Sequence, residues 1–285
     1  MPSKRSTRDG DNLVFDFFKD LFDRKPELAT EFACELVRAT GIWIPIEVYR
    51  SCPVLLPWVV RDQDCRPSVT NNRPEQWGAP NQDGYFRDDN SMVKGLVRSV
   101  PVRGPRGSSM NGVRMGKGWV ASHVWRSHRG SQRSTNTDPE LNTFVPNLVW
   151  LPNQIAKLSD QDQGPVQTAL KQVAQSIYKS VDVEPRLTEI VESAWTKLPS
   201  VGTGCEVDLE DLYWFDVPDG PDDFVEKRQQ ATRRAIDAID SIERNDPIGP
   251  WRVCHRYSEG LPQQELSKLR ILSRKLEPHA GPQRG

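Results

Sequence analysis

The chain has 285 residues, a formal net charge of −1 at pH 7 and 36% hydrophobic residues. A chain of this length forms one large domain or two small ones, and it can bury a core without disulfides or metal. The charged amino terminus is not followed by an apolar segment, and no apolar run is long enough to cross a bilayer, which excludes a signal peptide and a membrane span. We therefore expect a cytoplasmic protein without a membrane partner.

The five cysteines are widely spaced and form no CxxC pair. An odd number without paired spacing is typical of free thiols in a reducing compartment, so we expect no disulfide framework. A zinc site using Cys52, Cys65 and a distant partner is the less favoured alternative, because the paired-ligand spacing of such sites is missing.

Residues 1–80 are predicted to form an N-terminal region of helices and extended segments. Apolar residues recur at helical spacing in Asn12–Lys25. A second helix is expected to begin at Pro26 and to stop at Gly41, because proline suits the first turn of a helix and glycine commonly follows the last. The segments IWIPIEVY and CPVLLPWVV are rich in strand-forming residues but interrupted by proline, which predicts short strands or extended connections.

Residues 81–165 are expected to form a small mixed module, and residues 166–285 a C-terminal region that is mainly helical. Strand patterns occur near Met92–Val102 and Val113–Trp125, with a glycine-rich loop between them. The stretch PNLVWLP is interpreted as an apolar turn that leads into the helical pattern NQIAKLSD. The predicted fold class is therefore α+β, with the small module embedded between mainly helical regions.

Charge is unevenly distributed along the chain. No acidic residue occurs from Ser91 to Thr137, whereas Glu206–Glu226 is rich in Asp and Glu and contains no Lys or Arg. The basic window is mostly arginine, which suits bidentate contacts with phosphate and guanine. We therefore predict a positive face that binds nucleic acid through Lys94, Arg98, Arg103, Arg106, Arg114, Lys117, Arg129 and Arg133.

The stretch GKGWVASHVWRSH places His123 at the end of a predicted strand, inside this basic window. A polar loop of about twenty residues follows, then Asn147 in PNLVWLP, and then the predicted helix. Strand, histidine, loop, asparagine and helix in this order resemble the ββα-metal (HNH-type) nuclease superfamily over roughly residues 112–161. The sequence departs from the family at Ser122 and Ala156, where many members carry further signature residues.

The resemblance implies a catalytic role for His123, as the general base that activates water against a phosphodiester. It implies that Asn147 fixes the loop or supplies an oxygen ligand to Mg²⁺ or Mn²⁺, and that the terminal helix bears a further ligand, for which Asp160 is the candidate. The residue types agree with this chemistry: neutral imidazole accepts a proton near pH 7, and amide oxygen is a hard ligand. Arg126 is predicted to hold the scissile phosphate, and Lys157 is a further catalytic candidate on the helix.

The chain is much longer than the module, and the additional residues favour recognition of a substrate sequence as well as cleavage. We therefore expect a restriction-type endonuclease that acts on double-stranded DNA, in which a homodimer would read a palindromic site most simply. An RNase or toxin-like nuclease stays open, with Trp119, Trp125 and Trp150 stacking on unpaired bases. A homing-type nuclease and a catalytically inactive DNA-binding protein also stay open. His128 is expected to contact phosphate or solvent.

Overall fold

A computed structural model describes residues 10–62, 86–88, 90–160, 164–217, 223–244, 246 and 263–280. Its α-helices are α1 (Gly10–Arg24), α2 (Pro26–Thr40), α3 (Ile46–Ser51), α4 (Ser91–Val97), α5 (Asn153–Ser159), α6 (Pro165–Tyr178), α7 (Thr188–Lys197), α8 (Asp223–Arg244) and α9 (Gln263–Leu276). Its strands are β1 (Ile42–Trp43), β2 (Val59–Arg61), β3 (Phe86–Asp88), β4 (Pro101–Arg103), β5 (Val113–Arg114), β6 (Trp119–His123), β7 (Leu148–Pro152) and β8 (Tyr213–Phe215).

One mixed sheet of six strands organises the molecule, in the order β5-β4-β8-β1-β7-β6. Strand β1 lies inside this sheet, parallel to β8 and antiparallel to β7, while β2 and β3 form a separate parallel pair. Helices together with this sheet confirm the α+β class. The sheet takes strands from all three predicted regions and the buried apolar residues form one continuous core, so the boundaries at 80 and 165 do not separate structural domains.

The stretch PNLVWLP, predicted as an apolar turn, contains strand β7, and the burial of this strand explains its apolar sequence. It lies between β1 and β6, and Leu148, Val149, Trp150 and Leu151 are all buried. A strand that is covered on both faces reads as a continuous apolar run and not as an alternating one. The Trp150 ring meets the Phe215 ring edge-on, with ring centroids 5.0 Å apart, and this contact ties β7 to β8 across β1.

Two predicted strand segments are helices in the structure. Helix α3 begins directly after Pro45, whose carbonyl accepts the first helical bond, from Tyr49. Helix α4 follows Asn90, and the Asp88 carboxylate accepts the backbone N–H of Met92 in its first turn. Both segments carry β-branched residues, which favour strands. In α4 the Asp88 carboxylate satisfies one free N–H group of the first turn, whereas in α3 the proline directly before the helix fixes a backbone angle that suits a helix start.

Helix α2 has the predicted ends. Pro26 lies in its first turn, and Gly41 follows its last residue. Gly41 has an extended backbone, and glycine is needed there for space: a Cβ atom would lie 2.8 Å from the carbonyl oxygen of Val37.

The prediction of free cysteines is wrong for one pair. Cys34 in α2 forms a disulfide with Cys205, with Cα atoms 5.5 Å apart, whereas Cys52 is free and buried. Cys65 and Cys254 lie outside the described residues. Within the described ranges, no helix has both the length and the apolar character that crossing a bilayer requires.

Candidate active site

The predicted strand that ends at His123 and the predicted helix are adjacent in the structure, and the stretch between them, predicted as an apolar turn, contains strand β7. Strand β6 runs antiparallel to β7, with Trp119 opposite Pro152 and His123 opposite Leu148. Helix α5 starts directly after β7 and packs against both strands. The order strand, loop, strand, helix therefore forms a compact ββα unit, with His123 at the loop end of the first strand.

The loop between the strands holds the His123 ring through Asn142. The Nε2 atom of His123 lies 2.9 Å from the backbone carbonyl oxygen of Asn142 and 3.2 Å from its side-chain Oδ1. Because a carbonyl oxygen only accepts, Nε2 carries the hydrogen and Nδ1 keeps the lone pair. Asn142 is itself fixed, since its Nδ2 donates to the Val59 carbonyl at 2.9 Å. The basic nitrogen of the ring is thus specified by the fold.

The environment of His123 keeps its imidazole neutral at pH 7. Desolvation is the main cause that lowers its pKa to about 4, and the positive charges of Arg61 and Arg126 lower it further, while the Asn142 hydrogen bonds oppose the shift. The side chain is nevertheless partly exposed and lines a cleft. A neutral, partly exposed imidazole of fixed tautomer is the form that accepts a proton from water.

The predicted role of Asn147 as a metal ligand does not fit the structure. Its side chain is buried, its Oδ1 accepts the Trp125 N–H at 2.7 Å, and its Nδ2 donates to the Leu141 carbonyl at 3.0 Å. Both polar atoms are therefore occupied by backbone. The geometry fits the alternative role: Asn147 ties the segment after His123 to the loop that carries Asn142.

His123 opens into a polar cleft with a volume of about 530 Å³. Strands β2 and β6, helices α4 and α5 and the segments next to them contribute charged and polar side chains to it. Among the residues that the structure describes, four cationic side chains and one carboxylate line the cleft: Arg61, Lys94, Arg126, Lys157 and Asp160. The wall also includes Ser122, Ser134, Asn136 and Asn153. Such a surplus of positive charge attracts an anionic ligand.

Arg61 is a site residue that the sequence analysis missed. It lies at the end of β2, lines the cleft, and acts electrostatically on His123. Its Nε atom is buried and has no hydrogen-bond partner among the described residues. A buried, unpaired N–H group is costly unless a ligand completes it. The available signal was a charged residue that directly follows the apolar pair Val59 and Val60 of a strand.

Arg126 and Asp160 lie together, as predicted, but they are bound to each other. The Arg126 guanidinium donates to the Asp160 carboxylate, and this ion pair joins the loop after β6 to the end of α5. Both side chains are exposed at the cleft, where an ion pair contributes about 1 kcal/mol or less. A phosphate that enters the cleft can therefore replace Asp160 as the partner of Arg126 at little cost.

The cleft offers few ligands to the cation that the resemblance implies. The described residues contain no group of three His, Cys, Asp or Glu that could hold a metal ion. Mg²⁺, however, keeps several waters and accepts few protein oxygens. Asn153 is exposed in the first turn of α5 and lines the cleft with His123. Asn153, and not Asn147, fits as the amide ligand of a hydrated Mg²⁺.

The eight predicted nucleic-acid contacts are all exposed, but they do not form one surface. Lys94 lines the cleft, and Arg129 and Arg133 lie on the loop after β6. Strand β4 is four strand spacings from β6, roughly 20 Å, so its Arg103 lies far from His123. The basic window thus supplies cations both to the cleft and to the opposite edge of the sheet, where Arg106 and Arg114 also lie. Arg98 ends α4, and Lys117 precedes β6.

Two further expectations are corrected by burial. His128 does not face phosphate or solvent: its side chain is 11% exposed and lies 3.6 Å from the Asp138 carboxylate. Trp125 and Trp150 are buried and cannot stack on bases, and Trp119 is only partly exposed.

Comparison of the chain with family models, curated proteins and solved structures finds no match.

Proposed function

We propose that the cleft beside His123 hydrolyses phosphodiester bonds in nucleic acid, and that double-stranded DNA is the substrate. One observation carries the proposal: an imidazole of fixed tautomer ends a strand of a ββα unit and lines a cleft with four cations and one carboxylate. The cations suit a phosphate, and the imidazole suits a water molecule that attacks it.

In the proposed reaction, Nδ1 of His123 takes a proton from water as the water oxygen bonds to phosphorus. The bond from phosphorus to the leaving ester oxygen breaks, and that oxygen takes a proton from solvent. Arg61 holds a phosphate oxygen through its unpaired Nε, and Arg126 exchanges Asp160 for a second oxygen. The phosphate also raises the pKa of His123 from its low value, because a nearby negative charge favours the imidazolium. A bound Mg²⁺ at Asn153 would offset the charge that develops on the phosphate and the leaving oxygen.

Duplex DNA is favoured over RNA because the aromatic residues that would stack on unpaired bases are buried or partly buried. The exposed arginines on the loop after β6 and on the far edge of the sheet suit contacts with phosphates and guanine edges. Sequence-specific, restriction-type cleavage by a homodimer is the finer form of this proposal, and discrete bands from plasmid and phage DNA would support it.

The test uses purified protein with plasmid DNA and Mg²⁺ or Mn²⁺. We expect H123A to reduce cleavage by about 10²–10⁴-fold, the usual contribution of a general base, while DNA binding in EDTA is retained. R129A, which removes an exposed cation of the neighbouring loop, is the matched control: it should weaken binding and leave cleavage intact at saturating DNA. Wild-type protein that binds duplex DNA but cuts nothing would overturn the catalytic proposal.

That result would favour the second candidate, a DNA-binding protein without cleavage activity. The low pKa of His123 supports this alternative, because an imidazole with a pKa of about 4 is a weak base until an anion binds beside it. Cleavage separates the two candidates: the enzyme cuts DNA as wild type and loses this activity in H123A, whereas a binding protein cuts nothing in either form and keeps its DNA affinity in H123A.

A further inference from the structure

The loop that holds His123 is tied to the C-terminal end of helix α7. Lys197, the last residue of α7, places its Nζ 2.6 Å from the Glu140 carboxylate and 3.4 Å from Oδ2 of Asp138. Its backbone carbonyl accepts the N–H of Arg129 at 2.7 Å, and the Ser193 hydroxyl donates to the same Glu140 carboxylate at 2.8 Å. One helix end thus contacts the loop at three positions.

Asp138 connects this anchor to Asn142. Its side chain is only 5% exposed, and its Oδ1 accepts the Glu140 N–H at 2.8 Å. Its carbonyl oxygen accepts the N–H groups of Leu141 and Asn142 at 3.1 and 2.9 Å. The resulting turn ends at Asn142, whose carbonyl fixes the Nε2–H of His123. A continuous series of contacts therefore runs from Lys197 to the imidazole.

The buried Asp138 carboxylate needs a cation. His128 lies 3.6 Å away, but desolvation outweighs the attraction of Asp138 and lowers the pKa of His128, so this ring is neutral at pH 7. The ammonium of Lys197 then provides the positive charge. Only the carboxylate of this pair is buried, since Lys197 is 31% exposed; removing the ammonium would leave the buried Asp138 without its cation, which destabilises the surrounding structure.

We propose that Lys197 is a positioning residue for His123 and acts through Asp138 and the turn that ends at Asn142. The proposal rests on the function proposed above, in which His123 is the base. The C-terminal region contributes no side chain to the described wall of the cleft, but through Lys197 it takes part in the chemistry. Without the ammonium the turn loosens, the Asn142 carbonyl moves, and the basic nitrogen of His123 is no longer specified.

The test compares K197M with K197R, which keeps the charge, and with K179M, which removes an exposed lysine after α6. We expect K197M to lower kcat for DNA cleavage about tenfold or more, as small displacements of reacting groups do, with KM changed less than about twofold. K197R should restore most of the rate, and K179M should behave as wild type.

A ring-nitrogen NMR experiment provides a readout that a general loss of stability would not produce. In the wild type, the His123 signal, identified by its absence in H123A, should report the Nε2–H tautomer alone; in K197M we expect a mixture of tautomers. Wild-type kcat and a single tautomer in K197M would overturn the proposal, as would equal losses in K197M and K179M. Wild-type protein that cuts no DNA overturns the function, and the tautomer in K197M then decides the role of Lys197 independently.

Discussion

At the scale of single residues, Arg61 and His123 form the most informative pair in the cleft. Arg61 carries a buried Nε without a partner among the described residues, and its positive charge helps to lower the pKa of His123 to about 4. The same charge would attract a phosphate and suppress the basicity of the neighbouring ring. The site therefore gains base strength only when the anion arrives, because the anion offsets the arginine charge.

Replacing Arg61 by alanine should raise the pKa of His123 from about 4 toward 6.5, since a nearby cation is removed while the desolvation remains. The salt dependence of DNA binding should weaken by about one phosphate contact. Histidine titration by NMR measures the first change, and fluorescence anisotropy at several salt concentrations measures the second. R98A, which removes an exposed arginine at the end of α4, serves as the control and should leave the His123 pKa unchanged. Equal His123 titrations in wild type and R61A would contradict this assignment.

At the scale of elements, one buried amide holds together the loop between β6 and β7. Asn147 accepts from the backbone of Trp125 and donates to that of Leu141, so one side chain closes the loop at both of its ends. Sequence spacing alone points to this asparagine, but spacing carries no information on burial, and burial decides between a structural amide and a ligand.

We expect N147A to lower the free energy of unfolding by about 1–3 kcal/mol, because it leaves the buried Trp125 N–H without a partner, while the Leu141 carbonyl keeps the N–H of Phe144. Cleavage should fall with it, without a change in the Mg²⁺ concentration that the remaining activity requires. N153A should show the opposite pattern, with unchanged stability and a higher Mg²⁺ requirement. Urea unfolding and Mg²⁺ titration of cleavage measure both. A stable N147A protein with a raised Mg²⁺ requirement would restore Asn147 as the ligand.

The local features of this unit can be predicted from the sequence, and the non-local ones cannot. The strand ending at His123 and the helices α1, α2 and α6 follow from periodicity and from proline and glycine positions. The segments that form α3 and α4 carry β-branched residues and therefore suggest strands, but they form short helices of six and seven residues. The sequence does not assign Arg61 to the cleft, because Arg61 and His123 are far apart in the chain and only the fold brings them together.

At the scale of the whole molecule, three neutral histidines couple stability to pH. The pKa of His123 is lowered to about 4 and that of His279 to about 2, chiefly by desolvation, and the pKa of His128 is lowered as well. In the unfolded chain these rings titrate near 6.5, so between pH 6.5 and 4 the unfolded state binds more protons than the folded one. Stability is therefore complete above pH 6.5 and is lost as the pH falls.

We expect the free energy of unfolding to fall by up to about 1.4 kcal/mol per pH unit for each of His123 and His279 between pH 6.5 and 4, and His128 adds a loss in the same direction. Urea unfolding at pH 7, 6 and 5 measures this slope. H279F keeps an aromatic ring against Trp58, whose centroid lies 5.7 Å from the imidazole, and should flatten the dependence. A stability that is constant or rises on acidification over this range would contradict the three lowered pKa values.

Strand β1 has only two residues, Ile42 and Trp43, yet it is the sole link in the described sheet between the pair β6–β7 and strand β8. The ββα unit therefore ends, on its inner side, on hydrogen-bonding groups supplied from more than a hundred residues upstream. Genetic recombination that transferred only residues 112–160 to another chain would deliver the imidazole with an open backbone edge and uncovered tryptophans. Such a transfer would therefore have to include the segment that carries β1 if the unit is to fold.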